Sequence, residues 1–222
     1  MRQPRSEKVN FDKMERELYS AVISDVLDEM GIRNHTLNVL IRPLRANMVL
    51  AGRAKPMVAS KVFEMPEEPY KIMIEALDSL KQDEVPLIVA SSGSSTAMWG
   101  ELFSTASQAR GARGAVIDGF ARDTRKILEM DYQLFCAGMA PTDSKGREQI
   151  ISYGRQVRSG DATVAPGDII FADLDGVVAI PREVEDDVLT RARKKAGKEN
   201  LVRDDLRSGK MLADSWRKHG VL

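Results

Sequence analysis

The chain is short of the residue types that build disulfide frameworks and zinc sites. Its 222 residues include one cysteine, Cys136, and two histidines, His35 and His219. A single cysteine excludes an intrachain disulfide, and we expect the protein to work in a reducing cytosol. Neither histidine belongs to a His/Cys cluster, so a tetrahedral zinc site is not expected. Any bound metal would need oxygen ligands, which Mg²⁺, Mn²⁺ and Ca²⁺ prefer.

The chain also lacks an excess of charge of either sign. Its 33 Lys and Arg residues cancel its 33 Asp and Glu residues, so no net positive field favours nucleic acid. No apolar run approaches the ~20 residues of a membrane span, and the N-terminal residues lack the apolar core of a secretory signal. We therefore expect a cytoplasmic protein that associates with neither nucleic acid nor a membrane, although a local basic patch is compatible with this balance.

The apolar residues that are present follow both helical and strand patterns. They make up 43% of the sequence, which is enough for a full core in one domain with appendages. Residues 1–10 are predicted to be a mobile arm. Helical spacing predicts one helix from Phe11 to Met30, with Gly31 as its C-cap.

Strand-like segments dominate the middle and late parts of the chain. Leu174-Asp175-Gly176 predicts a hairpin, and Pro181 ends its second strand. One or two charged helices are predicted from Glu183 to about Lys210, typically with a solvated face. The remaining segments are predicted as strands at 36–64, 85–90, 133–137 and 150–180, a short helix within 66–81 and a loop at 141–147.

A loop rich in serine and glycine, residues 91–96, follows the strand at 85–90. We predict that it leads into a helix over 97–110. Backbone N–H groups and the helix dipole at such a junction suit an anion, but an ordinary connection predicts the same residues equally well. The apolar side of this helix is predicted to carry Met98, Leu102, Phe103 and Ala106.

The most informative segment is 114–123, an apolar run that ends in two opposite charges. It predicts a buried strand with Gly119 as the turn at its end, and Asp118 as part of that turn or, alternatively, as a residue that supports the site from behind. Arg122 and Asp123 would then lie just beyond the carboxyl end of a strand, where open α/β sheets bind ligands. Arginine can clamp a carboxylate and aspartate can hold a hard cation. The alternative is a solvent-facing ion pair of little consequence.

Gly100 and Glu101 supply a second part of this candidate site. A glutamate early in a helix is usually a favourable partner for the helix dipole. Glycine costs a helix about 1 kcal/mol, and one reason to have it is that the backbone must approach a ligand closely. A metal next to an anion clamp is what the polarisation of a 2-oxo acid requires.

The spacing of these two parts resembles that of a known family. Trp99-Gly100-Glu101, twenty residues and then Arg122-Asp123 is similar to the acidic-x20-Arg-Asp signature of the class II pyruvate aldolases. These enzymes cleave 4-hydroxy-4-methyl-2-oxoglutarate or 4-carboxy-4-hydroxy-2-oxoadipate and share a fold with the RraA proteins, regulators of ribonuclease E activity. The resemblance covers about residues 15–210, since it also includes Ser24-Asp25-Val26-Leu27, Pro166-Gly167-Asp168 and the hairpin at 173–181.

The resemblance implies how substrate would be held. The chain would release pyruvate from a 4-hydroxy-2-oxo di- or tricarboxylic acid, with oxaloacetate decarboxylation as a side activity. Arg122 would bind the substrate's carboxylate and keto end and steady the developing charge. The backbone that would cradle the pyruvyl group belongs to Gly100, Glu101, Leu102 and Phe103.

The resemblance also implies a divalent metal, Mg²⁺ or Mn²⁺. Asp123 would bind the metal directly, and Glu101 would contact it through water. Glu101 stands where many family members have Asp, which is one methylene shorter. Glu199 is the candidate for a C-terminal glutamate that the family uses in a neighbouring subunit's site.

The fold that the resemblance implies is a layered α/β/β/α sandwich of the swivelling phosphohistidine-domain type, assembled as a homotrimer or hexamer. It divides the chain into an arm at 1–14, the α/β domain at 15–182 and a helical extension at 183–222 that packs on a neighbouring subunit. The alternative function is that of a non-catalytic RraA-type regulator that binds a ribonuclease or helicase. A methyltransferase is not expected, because the chain has no Gly-x-Gly-x-x-Gly loop after a strand.

Overall fold

The computed structural model describes residues 9–221, which form a mixture of helices and strands. The helices are α1 (Phe11–Glu17), α2 (Ser20–Glu29), α3 (Lys71–Asp78), α4 (Glu101–Ala109), α5 (Thr124–Glu129), α6 (Glu185–Arg207) and α7 (Leu212–His219). The strands are β1 (Arg42–Pro43), β2 (Leu50–Lys61), β3 (Glu84–Val89), β4 (Ala97–Trp99), β5 (Ala115–Ala121), β6 (Leu134–Met139), β7 (Glu148–Tyr153), β8 (Val157–Ser159), β9 (Ala162–Val164), β10 (Ile169–Asp173) and β11 (Gly176–Ile180).

One curved, mixed sheet of nine strands forms the centre of the fold. Its path runs β1-β6-β5-β3-β2-β10-β11, with β4 on β5 and β7 on β2. The inner strands β2, β3, β5 and β6 are parallel, and antiparallel pairs flank them. The two ends of the path approach each other, because the segment before β1 bonds to β11 through Leu37 N and Val177 O at 3.0 Å. The sheet is therefore nearly closed, and the mixed α/β class is confirmed; the swivelling-domain sandwich stays a prediction.

Buried side chains lie on both faces of this sheet. One group, which contains Trp99, lies against α3 and α5, and a second joins α1, α2 and α6 to the sheet. A third lies inside the curl and reaches β8 and β9. On β5, Ile117 belongs to the first group and Val116 to the third. This two-sided burial explains why β5 is an apolar run rather than an alternating pattern.

The predicted single helix from Phe11 to Met30 is wrong, because the chain is extended at Leu18 and Tyr19. Helix α2 starts afresh where the Asp173 carboxylate accepts from Ser20 N at 2.7 Å and from Ser20 Oγ at 2.6 Å. An acceptor from a distant strand thus caps the helix where its own residues offer none. The C-cap at Gly31 is confirmed, since its φ is 78°.

The predicted helix over 97–110 is also wrong at its start. Ala97–Trp99 forms β4, which pairs with β5, and Ala97 N donates to Thr142 O at 2.8 Å. Of the predicted apolar side, Met98 and Phe103 pack in the core, whereas Leu102 is 76% exposed and Ala106 is exposed. The buried residues of α4 are two serines, Ser104 and Ser107.

The predicted turn at Asp118 and Gly119 is a third correction, because β5 continues through both residues. The Asp118 carboxylate accepts from Asn38 Nδ2 at 2.7 Å and from Ser159 Oγ at 2.6 Å. Gly119 packs tightly, since a Cβ there would lie 2.6 Å from the Ala90 Cβ. These contacts, rather than a change of chain direction, explain why an aspartate and a glycine occupy these two positions.

The late part of the chain follows its prediction. Strands β10 and β11 form the hairpin, Pro181 follows the last strand, and α6 then runs for 23 residues. Residues 1–8 of the predicted arm lie outside the described residues, and Phe11 and Met14 of α1 are buried. None of the helices in the described part of the chain combines the length and apolarity needed to cross a membrane.

Candidate active site

Three parallel strands bring the candidate site together at their carboxyl ends. Strand β4 pairs with the end of β5, where Trp99 lies opposite Ala121, and β5 pairs with β6. Arg122 N donates to Trp99 O at 2.9 Å, which ties the residue after β5 to the end of β4. Residues 100–103 and 122–123 are therefore neighbours. The sequence predicted a strand end before Arg122 and Asp123, whereas their association with Gly100 and Glu101 was implied by the family resemblance.

Arg122 lies between two carboxylates. Its Nε is 3.8 Å from Asp123 Oδ2, and its Nη2 is 3.6 Å from Asp143 Oδ1. Both ion pairs are loose compared with the 2.7–2.9 Å that is typical of charge-assisted hydrogen bonds. The guanidinium is thus oriented from both sides, and its donors are not saturated by these carboxylates.

Asp123 has an unusual backbone and an unusual side-chain direction. Its φ of 57° lies in the left-handed region, which aspartate tolerates better than most residues. It is the N-cap of α5, yet its side chain makes no capping hydrogen bond to that helix. Instead its Oδ2 faces the N-terminus of α4, 3.4 Å from Glu101 N. The carboxylate is therefore turned away from its own helix and toward Gly100.

The N-terminus of α4 offers backbone donors beside this carboxylate. The first hydrogen bond of the helix runs from Ser104 N to Gly100 O at 3.1 Å, so the N–H groups of Leu102 and Phe103 precede the helical ladder. Gly100 permits the close approach, since a Cβ there would lie 2.8 Å from Asp123 Oδ2 and 3.4 Å from Arg122 Cγ. The helix dipole adds positive potential at the same point.

Glu101 lies at the start of α4, at the edge of this arrangement. Its Oε1 accepts from Thr105 Oγ1 at 3.0 Å, one turn along the same helix. The backbone of Glu101 is therefore part of the site, while its carboxylate lies along the helix surface.

Two functional candidates escaped the sequence analysis, Asp143 and Tyr70. The Tyr70 hydroxyl donates to Asp143 Oδ2 at 2.5 Å, while Oδ1 faces Arg122. Burial and this hydrogen bond raise the pKa of Tyr70 to about 12, so the hydroxyl stays protonated at neutral pH. Asp143 follows β6, and the parallel strand before it was a signal that could have found it. Tyr70 comes from the irregular segment before α3, which gave no such signal.

A cavity of about 220 Å³ opens between these residues. Its polar lining comes from Arg122, Asp123 and Asp143, and its apolar lining comes largely from rings. Trp99 is a buried apolar side chain in this cavity's lining, since it is 1% exposed and donates from Nε1 to Ser104 Oγ at 2.8 Å. A second cavity of the same volume lies on the other side of Arg122 and Asp123.

The Ser/Gly loop at 91–96 does not lead into α4, because β4 lies between them. Its donors are engaged by Glu148, a buried residue of β7. Ser91 N donates to Glu148 Oε1 at 2.5 Å and Thr96 Oγ1 donates to Oε2 at 3.2 Å, while Ser94 Oγ also donates to Oε2. The anion that this loop binds is therefore a carboxylate of the chain itself.

Glu199 does not contact the cavity within its own chain. It lies on α6, and its carboxylate accepts from the Tyr19 hydroxyl. Burial raises the pKa of Glu199. Its predicted place in the site of a neighbouring subunit stays a prediction.

The donor set suits a hard metal that brings its own water. No three Asp, Glu, His or Cys residues of the described chain form a cluster that could hold a metal. Magnesium commonly binds through one or two carboxylates and keeps several waters. Asp123 fits that pattern as a single carboxylate ligand, and no soft ligand is present among the residues that line the cavity.

Several known proteins resemble this chain in sequence or in fold. A relative named "Putative 4-hydroxy-4-methyl-2-oxoglutarate aldolase" from Halalkalibacterium halodurans is 28% identical over 188 residues, which is 85% of this chain and 84% of the relative. A solved structure of an uncharacterized protein from Pseudomonas syringae pv. tomato is 26% identical, with a TM-score of 0.80 over 92% of this chain and 95% of that one. Streptomyces coelicolor RraAS2, called an unusual member of the RNase ES inhibitor RraA protein family, is 22% identical, with a TM-score of 0.75 over 91% and 98%; this likeness shows the fold alone.

A family model also matches most of the chain. The model of the RraA-like family, described as Aldolase/RraA, matches residues 20–179. These residues run from the start of α2 into β11 and include every residue that lines the cavity. The chain therefore belongs to the Aldolase/RraA family.

Proposed function

We propose that the protein is a divalent-metal-dependent aldolase that releases pyruvate from a 4-hydroxy-2-oxo acid, with oxaloacetate decarboxylation as a side activity. The observation that carries the proposal is the convergence of three features on one cavity. These are the Arg122 guanidinium, the Asp123 carboxylate and the free N–H groups at the start of α4. A cation, a metal-binding acid and an anion cradle in one place are the parts that enolate chemistry requires.

The reaction breaks the bond between C3 and C4 of the substrate. The C4 hydroxyl loses its proton and becomes the carbonyl of the second product. The electron pair of the broken bond stays on C3 and spreads onto the C2 oxygen as an enolate, and C3 then takes up a proton to give pyruvate. Negative charge therefore develops at the C2 oxygen, next to the existing C1 carboxylate.

Residues of the chain are placed to stabilise this negative charge. Arg122 binds the C1 carboxylate, and it is held by Asp123 and Asp143 without being saturated by them. The N–H groups of Leu102 and Phe103 face the same end of the substrate. Such fixed donors stabilise developing charge without reorganisation.

The metal would be held by Asp123 directly and by Glu101 through water. Bound Mg²⁺ or Mn²⁺ supplies a Lewis acid for the keto oxygen. Glu199 of a neighbouring subunit would complete the site in a trimer or hexamer, and its raised pKa suits a group that exchanges a proton. The swivelling-domain sandwich and a cytoplasmic location complete the proposal, the latter supported by a lone, buried cysteine.

The test is a coupled assay of pyruvate release. The purified protein, freed of metal with a chelator, is given a panel of 4-hydroxy-2-oxo acids and oxaloacetate, with and without added Mg²⁺. We expect metal-dependent pyruvate from at least one compound. No pyruvate from any of them would contradict the aldolase and leave the family's regulator function, the alternative from the sequence.

Asp123→Asn is the variant that tests the site, because asparagine also tolerates a positive φ. We expect metal-dependent kcat/KM to fall by more than the roughly 10–100-fold cost of an outer-shell partner. Asp131→Asn is the matched control, since Asp131 also has a positive φ (54°) and lies at the opposite end of α5. Equal activity of the two variants would remove Asp123 from the site.

A further inference from the structure

The residues that line the cavity indicate which kind of group the site accepts on C4 of the substrate. We propose that the preferred substrate is a 4-hydroxy-2-oxo monocarboxylic acid with an apolar C4 group, rather than a di- or tricarboxylic acid. The inference rests on the proposed function, and it deepens that function by naming the substrate class.

The first argument is the apolar wall. The centroid of the Phe103 ring lies 6.1 Å from that of the Tyr70 ring, in an edge-on contact, and 5.9 Å from that of the Trp99 ring. These three rings all belong to the lining of the cavity. Such a surface favours an alkyl or aryl group, and it offers a carboxylate nothing to replace its lost water.

The rim of the cavity continues this apolar surface. Ile74 of α3 is 51% exposed and Leu102 of α4 is 76% exposed, and both line the cavity. When a ligand covers an exposed apolar side chain, apolar surface is removed from water, and this favours binding. The rim therefore adds to the preference of the wall.

The second argument is the balance of charge. Among the residues that line the cavity, Arg122 is the one cation, and Asp123 and Asp143 are two anions. The C1 carboxylate of any 2-oxo acid uses Arg122. Within the lining that this chain supplies, a second carboxylate on C4 would then find the Asp143 carboxylate and no further cation, and like charges at close range cost binding energy.

The cations of the nearby loop at 144–147 do not change this balance. Arg147 Nη1 donates to Asp143 O at 3.2 Å and to Lys145 O at 3.5 Å, so it is turned to the backbone of its own loop. Neither Arg147 nor Lys145 lines the cavity. On α3, Lys71 forms an ion pair with Glu68.

A matched pair of substrates tests the proposal. 4-Hydroxy-2-oxohexanoate and 4-hydroxy-2-oxoadipate have the same carbon chain, and only the group at C6 differs. The first would give pyruvate and propanal, and the second would give pyruvate and 3-oxopropanoate. We expect kcat/KM to favour the monocarboxylate at least 10-fold, within the roughly 10–200-fold range that one apolar group gives in a hydrophobic pocket.

A binding measurement separates this inference from the proposed function. 2-Oxohexanoate and 2-oxoadipate lack the C4 hydroxyl, so they cannot undergo the cleavage. Calorimetric titration in the presence of Mg²⁺ should show tighter binding of 2-oxohexanoate, and Arg122→Ala should abolish it. This result without any pyruvate release would support the inference and contradict the proposed function. Equal or tighter binding of 2-oxoadipate, or a higher kcat/KM for 4-hydroxy-2-oxoadipate, would overturn the inference while the aldolase stands.

A pair of variants at Ile74 gives a gain-of-function test. Ile74→Lys places a cation at the rim, and Ile74→Gln places a neutral polar group of similar reach there. Ile74 is exposed, so neither variant removes a core contact. We expect kcat/KM for 4-hydroxy-2-oxoadipate to rise about 10-fold in the Lys variant and not in the Gln variant. No difference between the two variants would overturn the placement of the C4 group at this rim.

Discussion

Gly100→Ala is expected to lower catalytic activity without lowering the free energy of unfolding, because the added methyl group affects the site and the fold in opposite ways. The backbone of Gly100 is extended, with φ −157° and ψ −175°, which any residue adopts. Replacing glycine by alanine at a compatible position stabilises a protein by about 0.4–1 kcal/mol through the unfolded chain. The fold alone therefore predicts a variant at least as stable as the wild type.

The site predicts a loss of activity from the same change. The new Cβ would lie 2.8 Å from Asp123 Oδ2, closer than real Cβ atoms approach other atoms. Asp123 must then move by several tenths of an ångström, and Arg122 Cγ, 3.4 Å away, limits the directions that are open. Since a misplacement of about 1 Å can cost 100-fold, we expect kcat/KM to fall by roughly 10–100-fold.

The assay pairs pyruvate release with urea unfolding of the same preparation. Gly197→Ala, in α6, is the control, because a Cβ there meets nothing within 4 Å. It should gain about 0.5–1 kcal/mol of stability, which calibrates the stability measurement. Wild-type kcat/KM in Gly100→Ala would refute the claim that the position of Asp123 matters. A large loss of stability in Gly100→Ala would refute the claim that the fold tolerates the methyl group.

Two further substitutions test a hydrogen bond beside the site and an ion pair at the start of α6. Tyr70→Phe should lower the free energy of unfolding by about 1–2 kcal/mol at pH 8, because the Asp143 carboxylate loses a hydrogen bond. The pKa of Tyr70 is raised to about 12 from its ordinary 10.0, so this contribution to stability is complete below pH 10 and is lost as the pH rises to 12. Equal stability of Tyr70→Phe and the wild type in urea titrations at pH 8 would contradict it. Glu185→Ala should cost about 3 kcal/mol, because Glu185 and Arg53, which are 9% and 23% exposed, form a two-point ion pair. Exposed Glu183→Ala should stay within about 0.5 kcal/mol of wild type, and similar urea midpoints for both variants would show that the pair contributes little.

Local signals account for what the sequence predicted correctly. The Asp-Gly pair predicted the β10–β11 hairpin, and Gly31 predicted the end of α2. Arg122 and Asp123 were predicted as a pair because they follow an apolar strand, and position relative to a strand end is a local property.

The wrong predictions arise where a distant contact decides between two local possibilities. Ala-Met-Trp at 97–99 suits a helix or a strand equally, and pairing with β5 makes it a strand. The break before Ser20 depends on Asp173, which lies 153 residues away. Asp143 and Tyr70 meet across 73 residues, and neither segment has a periodic pattern that would have brought them together.

The pairing of β4 with β5 has a consequence for how this site can change in evolution or by design. The two halves of the site are joined by the register of neighbouring strands and not by the length of chain between them. The connection from the end of α4 to β5, residues 110–114, lies at the opposite end of β5 from Arg122. Insertions there, or new chain termini made by circular permutation, would leave Gly100 beside Asp123. A search for related sites is therefore better guided by two adjacent parallel strand ends than by a fixed count of residues.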